Sequence, residues 1–121
     1  MKIEHIAMYV RDLEAARDFF LKYLGASSNS GYHNKTTDFR SYFLSFDGGA
    51  RLELMQKPDA PACPGYGHIS FGLGSPEAVD SMTARLRADG FRVVSGPRVT
   101  GDGYYESCIE IFDGYLLELT V

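Results

Sequence analysis

The sequence predicts an α+β fold built from two copies of one strand–helix–strands unit. Three observations point there. Two segments place apolar residues at helical spacing, and each follows a strand pattern. Alternating or apolar runs of strand length come after each helix. The landmarks also repeat: His5 matches His68 at an offset of 63, and Asp47-Gly48 before Leu52-Glu53-Leu54 matches Asp113-Gly114 before Leu117-Glu118-Leu119, with the two Glu residues 65 apart. A drift of two residues over half a chain fits one loop insertion. A unit of about 55 residues is too small to bury a sheet face alone, so the two units are expected to pack, within one chain or between chains.

Each element has a local cause. Ile3 to Val10 reads as a strand, with Ile6, Met8 and Val10 on one face and His5, Ala7 and Tyr9 on the other. Asp12 suits a helix N-cap, because its carboxylate accepts orphan backbone N–H groups. Leu13, Ala16, Phe20 and Leu24 recur at helical spacing, Phe19 and Tyr23 widen the stripe, and Gly25 sits where a left-handed C-cap belongs. Ser27 to Asp38 is polar, with room for a short strand of no definite position. Phe39 to Phe46 is strand-like, Asp47-Gly48-Gly49 a turn, and Arg51 to Gln56 another strand. Residues 57–65 hold Pro58, Pro61 and Pro64 and form a linker, since proline removes backbone donors.

The order then repeats. Gly67 to Leu73 is a short strand, Ser75 an N-cap, and Pro76 the first helical residue, where a missing N–H costs nothing. Val79, Met82 and Leu86 form the apolar stripe and Gly90 the stop. Phe91 to Val94 is a strand, Ser95 to Gly103 a Gly-rich loop, Tyr104 to Phe112 a strand, Asp113-Gly114 a turn, and Tyr115 to Val121 the last strand. The expected organisation is one domain over 1–121, with module one at 1–56 and module two at 66–121.

Composition excludes several function classes. The 121 residues are 45% hydrophobic and 23% charged, ordinary for a folded domain. A net charge of −4 with scattered basic residues argues against a nucleic-acid groove. No run of about 18 apolar residues suggests a membrane span. Cys63 and Cys108 show no paired framework, and no leader-like stretch opens the chain, so a reducing, cytoplasmic setting is expected.

Each half carries one His on its first strand and one Glu on its last. Leu52 and Leu54 share a face and Glu53 points to the other; Leu117, Leu119 and Glu118 repeat this. The helices have to cover the leucines, so His5, Glu53, His68 and Glu118 belong on the opposite faces. A Glu between leucines is usually a solvent-facing strand residue, and a strand His is usually packed or hydrogen-bonded. Repetition in both halves changes that balance. Two imidazoles and two carboxylates suit a divalent cation, because two formal negatives cancel its charge. Mixed N and O donors fit Zn²⁺, Ni²⁺, Co²⁺ or Mn²⁺, with one or two positions left for water or substrate.

These features make the chain resemble the vicinal oxygen chelate superfamily, the glyoxalase I and bleomycin-resistance fold. The resemblance rests on Ile3-Glu4-His5-Ile6, on Val10-Arg11-Asp12-Leu13-Glu14-Ala15-Ala16-Arg17-Asp18-Phe19-Phe20 with Leu24-Gly25, on Gly67-His68-Ile69-Ser70-Phe71, and on Phe112-Asp113-Gly114-Tyr115-Leu116-Leu117-Glu118-Leu119. It implies paired βαβββ modules forming a U-shaped, mostly antiparallel sheet around a metal site. By carry-over, His5, Glu53, His68 and Glu118 are the metal ligands, the complete set typical of glyoxalase I. Methylmalonyl-CoA epimerases are similar but usually carry Gln where this chain has Glu53. Fosfomycin-resistance enzymes and ring-cleaving dioxygenases use three ligands, and bleomycin binders lack the set.

The implied activity is that of a metal-dependent lyase or isomerase: a substrate chelates one divalent metal through adjacent oxygens, and a Glu removes the neighbouring proton. Glu118 is the first candidate base and Glu53 the second. The rivals are a non-catalytic drug-binding protein and a methylmalonyl-CoA epimerase-like enzyme. A homodimer acting on a small molecule, without nucleic acid or membrane, is expected.

Tyr9, Met55 and Ser70 share faces with the ligands and are candidate pocket residues. Phe43, Tyr104 and Tyr105 are expected in the core, and His33 in a solvated loop. Gly96 to Gly103 is expected as a lid. Cys108 and Glu110 are open to either a pocket or a packing role. Glutathione-dependent members of the family typically carry Arg and Asn four residues after the first and second ligands; here Tyr9 and Lys57 stand there.

Overall fold

Two units divide the chain, Met1–Pro64 and Gly65–Val121. The computed structural model describes residues 5–60, 68–101 and 103–121. The readings that involve Ile3, Glu4, Pro61, Cys63, Pro64, Gly67 and Asp102 lie outside these residues.

Unit one contains β1 (His5–Tyr9), α1 (Leu13–Leu24), β2 (Ser27–Ser28), β3 (Tyr32–Asn34), β4 (Phe39–Ser45) and β5 (Arg51–Gln56). Its sheet runs β1-β5-β4-β2, with β3 also on β4. β1 lies parallel to β5 and the other pairs are antiparallel. Asp12 caps α1 by accepting from the Ala15 N–H at 3.0 Å, and Gly25 closes it in the left-handed region at φ 64°. The helix buries Leu13, Ala16, Phe19, Phe20 and Tyr23 against Met8, Tyr42, Leu44, Leu52 and Leu54. Ile6 shares the face of Met8 but is 45% exposed. β1 is the outer strand and α1 packs over β4 and β5, so the start of β1 stays uncovered. The polar stretch holds β2 and β3, organised by Asn29, whose side-chain carbonyl accepts from the Gly31 N–H at 3.2 Å and the Phe43 N–H at 3.0 Å.

Unit two contains β6 (Ile69–Gly72), α2 (Pro76–Ala88), β7 (Arg92–Val99), β8 (Tyr105–Glu110) and β9 (Leu116–Thr120), in the sheet order β6-β9-β8-β7. The first strand again lies parallel to the last, and the remaining pairs are antiparallel. Unit two follows the βαβββ plan that the repeat predicts, and unit one follows it with two short segments, β2 and β3, sharing the place beside β4. Ser75 caps α2 by accepting from the Ala78 N–H at 3.2 Å. The buried stripe of α2 is Val79, Thr83 and Leu86, with Met82 only half-buried. Thr83 takes that inner place because its hydroxyl finds a polar partner in Ser107, as described below.

β7 corrects the sequence reading most. It does not stop at Val94 but continues to Val99, through Ser95, Gly96 and Pro97. The register with β8 shifts between Val93 and Ser95 and again between Ser95 and Arg98. Gly96, at φ 81°, lies so close to β8 that a Cβ there would strike the Glu106 carbonyl oxygen. Glycine and proline here serve a bulged strand, so the first half of the expected lid, Gly96 to Val99, is sheet. What remains is a turn held by the Thr100 N–H on the Tyr104 carbonyl at 2.8 Å and the Gly103 N–H on the Thr100 carbonyl at 3.0 Å. Asp113-Gly114 lies in a short 3-10 turn, with Asp113 at φ 56°. Among the described residues, no helix is long and apolar enough to cross a membrane.

Candidate metal centre

The alternation of β5 sets one half of the candidate site. Leu52 and Leu54 are buried under α1, which turns Glu53 to the uncovered face of the sheet. In the parallel ladder His5 pairs with Arg51 and Ala7 with Glu53, so His5 and Glu53 are diagonal neighbours. Their side chains meet there, with His5 Nε2 3.8 Å from Glu53 Oε2. The His5 ring stands edge-on to Phe43, with centroids 5.3 Å apart. The Arg51 guanidinium lies 4.3 Å over the same Phe43 ring. Phe43 is therefore a wall of this face and not the core residue expected. Its partner Glu53 across the β4–β5 ladder decides that.

β9 repeats the arrangement in unit two. Leu117 and Leu119 are fully buried, and Glu118 faces the other way. His68 Nε2 lies 3.3 Å from Glu118 Oε2. Ser70, directly beside Glu118 in the parallel ladder, donates its hydroxyl to Glu118 Oε1 at 2.8 Å. The two pairs use the same atoms in the same relation. In both, the carboxylate is the more buried member, at 16% and 19% exposure against 40% and 49% for the imidazoles.

This donor chemistry fits a divalent cation. Two donors on one ion at about 2.1 Å sit about 3.0 Å apart at a right angle and about 3.4 Å apart at the tetrahedral angle. The His68–Glu118 pair falls inside that range and the His5–Glu53 pair slightly beyond it. The donors come as pairs: among the described residues, no group of three His, Cys, Asp or Glu side chains is gathered in a metal-type cluster.

The remaining candidates separate cleanly. Tyr9 and Met55 pair across β1 and β5, and the Lys57 ammonium lies 5.1 Å over the Tyr9 ring. Cys108 pairs with Glu118 from β8. Burial pushes its thiol up, and the charges of Glu118 and Glu106 add to that, so it stays protonated at neutral pH. Glu110 is held by Arg92 at 2.7 Å. His33 lies in β3, exposed as expected, with Nε2 2.8 Å from Asp38. Tyr104 is 58% exposed and not core. Tyr105 is half-buried and donates to Asp80 at 2.6 Å, which pushes its phenol up. Phe43 and the Ser70–Glu118 bond are the features that sequence reasoning missed. Both depend on strand register, which no local pattern displays.

Comparison with known proteins decides the family. The sequence profile of the Glyoxalase/Bleomycin resistance protein/Dioxygenase superfamily matches residues 2–119. The chain belongs to this superfamily. Within it, the chain is 34% identical over 124 residues to the Bacillus subtilis (strain 168) protein YqjT, itself uncharacterized, covering 97% of this chain and 96% of that one. A possible glyoxalase from Bacillus cereus superposes with a TM-score of 0.75 at 28% identity, covering 100% and 99% of the two chains. Two more distant superfamily structures share the fold. One is the trypanothione-dependent glyoxalase I of Leishmania major, with a TM-score of 0.80 at 21% identity over 99% of this chain and 86% of that one. The other is the fosfomycin resistance protein FosX of Listeria monocytogenes, solved with Mn(II), with a TM-score of 0.76 at 23% identity over 98% and 90%.

Proposed function

We propose that this superfamily member is a metal-dependent lyase or isomerase of the glyoxalase I type. It would remove a proton from a small substrate that presents two adjacent oxygens. The observation that carries this reading is the recurrence of one His–Glu pair, Nε2 toward Oε2, on the uncovered face of each unit. His5, Glu53, His68 and Glu118 would hold one divalent ion of the Ni²⁺, Zn²⁺, Co²⁺ or Mn²⁺ kind. When bound, such an ion supplies Lewis acidity that makes a C–H beside the chelating oxygens easier to ionise.

The chain's own residues would do the rest. His5 and His68 offer ring nitrogens as metal donors, and Phe43 keeps the His5 ring upright. Glu118 or Glu53 receives the substrate proton on a carboxylate oxygen, which needs a side chain able to approach the carbon. Tyr9 and Met55 supply an aromatic and thioether floor beside Glu53, and Ser70 a hydroxyl beside Glu118. β1 and β6 each stand at an end of the strand order of their sheet, a position that favours pairing with a second copy. A homodimer in a reducing cytoplasm remains the proposed setting.

The test is elemental analysis of protein purified without chelator. About one transition-metal ion per chain is expected. Little metal, and no uptake on reconstitution, would instead support a non-catalytic binder of small drugs.

A further inference from the structure

We propose that Ser70 is a positioning residue that anchors Glu118 as a one-oxygen ligand, and that Glu53 is the carboxylate left free to move. This rests on the metal-centre reading above and deepens it. The two units match closely at their His–Glu pairs and differ in what flanks each Glu. Glu118 lies between Ser70 and Cys108 in its ladders. Glu53 lies between Ala7 and Phe43. Ser70 stands two residues after His68 as Ala7 stands two after His5, so the repeat carries a hydroxyl in one half and a methyl in the other.

The consequence is geometric. The Ser70 hydroxyl occupies Glu118 Oε1 at 2.8 Å and leaves Oε2 directed at His68 Nε2, 3.3 Å away. Turning the carboxylate would break that bond, and using both oxygens on one ion would make Oε1 share its lone pairs between the ion and the hydroxyl. Glu53 has no such restraint. Among the described residues its side chain accepts no hydrogen bond; the His5 ring lies 3.8 Å away, and the Arg51 guanidinium is stacked on the neighbouring Phe43 ring. Its flanks, Ala7 and the Phe43 ring, have no side-chain donor. A carboxylate that must leave a ligand position to collect a proton loses less when no hydroxyl holds it. The order of the two candidate bases therefore reverses, with Glu53 as the mobile carboxylate and Glu118 as the permanent ligand.

The experiment uses Mn²⁺ alone, titrated into chelator-stripped protein and followed by the electron paramagnetic resonance of free Mn²⁺. Ser70→Ala should weaken binding about tenfold, the lower end for loss of a group that orients a ligand. Ser70→Thr keeps the hydroxyl and should restore parental affinity. The visible absorption of the Co²⁺ form should change in Ser70→Ala and return in Ser70→Thr, which a merely structural role would not produce. Glu118→Gln should lose at least about ten times more Mn²⁺ affinity than Glu53→Gln, since the first is the permanent ligand. Melting in chelator checks folding; should Ser70→Ala not fold, Ser70→Cys, a weaker donor of similar size, carries the same expectation. Parental Mn²⁺ affinity and Co²⁺ spectrum in Ser70→Ala, or equal losses in the two Gln variants, would overturn the proposal. Parental affinity in both His68→Ala and Glu118→Ala would overturn the metal-centre reading itself.

Discussion

Thr83 and Ser107 form a buried pair of hydroxyls between α2 and β8, and substituting them tests how unit two is held behind its site. Thr83 is 1% exposed and Ser107 0%. Their oxygens lie 2.6 Å apart, and Thr83 Oγ1 also donates to the Val79 carbonyl at 2.6 Å. With that proton spent on Val79, Ser107 is the donor between the two hydroxyls. The single substitutions are therefore unequal. Ser107→Ala removes one hydrogen bond but leaves Thr83 bonded to Val79, at a cost of about 0.5–1.5 kcal/mol. Thr83→Val keeps shape and helix propensity but strands the Ser107 hydroxyl in a site closed to water, at a cost of about 1–3 kcal/mol. In the double variant neither polar group is left behind, so it should be more stable than Thr83→Val alone. The assay is a double-mutant cycle by urea or thermal unfolding, where each kcal/mol moves the midpoint by about 4 °C. A double variant whose loss equals the sum of the two singles would refute the mutual satisfaction of the two hydroxyls. Metal binding should not change in any of the three, because Ser107 faces α2 while the next residue, Cys108, lies beside Glu118.

Other outcomes follow from the same geometry. Alanine at His5, Glu53, His68 or Glu118 should each reduce the rise in melting temperature that added metal produces, because a ligand bound only by the folded state stabilises it by mass action; parental rises in all four would reject the assignment. Tyr42 is buried and donates to Glu14 at 2.9 Å, and burial, then Glu14, push its phenol up. The unfolded chain then loses the proton first, so this contribution to stability is complete below about pH 10 and is lost as pH rises toward the folded value. Tyr42→Phe should accordingly flatten the decline of stability above about pH 10, and an unchanged slope in alkaline melts would contradict it. Turnover of the methylglyoxal–glutathione adduct should be weak with Ni²⁺, Co²⁺ or Zn²⁺, because Tyr9 offers no cationic fork for a carboxylate and the Lys57 ammonium is stacked on its ring. A kcat/KM within about 10⁴–10⁸ M⁻¹s⁻¹ would show that inference to be mistaken.

What the sequence by itself determined is local or periodic. Asp12, Gly25, Ser75 and Pro76 mark helix ends because capping involves groups only a few residues apart. Leu52-Glu53-Leu54 and Leu117-Glu118-Leu119 display their faces because strand side chains alternate with period two. The two His–Glu pairs were legible because the chain states the same pattern twice. Tertiary structure alone decided the rest. Ser95 to Val99 reads as loop from its glycine and proline, yet pairing with β8 makes it strand, since the donors and acceptors that matter lie on another segment. Ile6 and Met8 are alike in sequence and differ in burial because an outer strand is only partly covered by the helix. Ala7 and Ser70 are unremarkable residues until the parallel ladders set each beside a Glu 46 or 48 positions away. That register is fixed by cooperative packing of the leucine faces against α1 and α2, a property of the assembled sheet and not of any one strand.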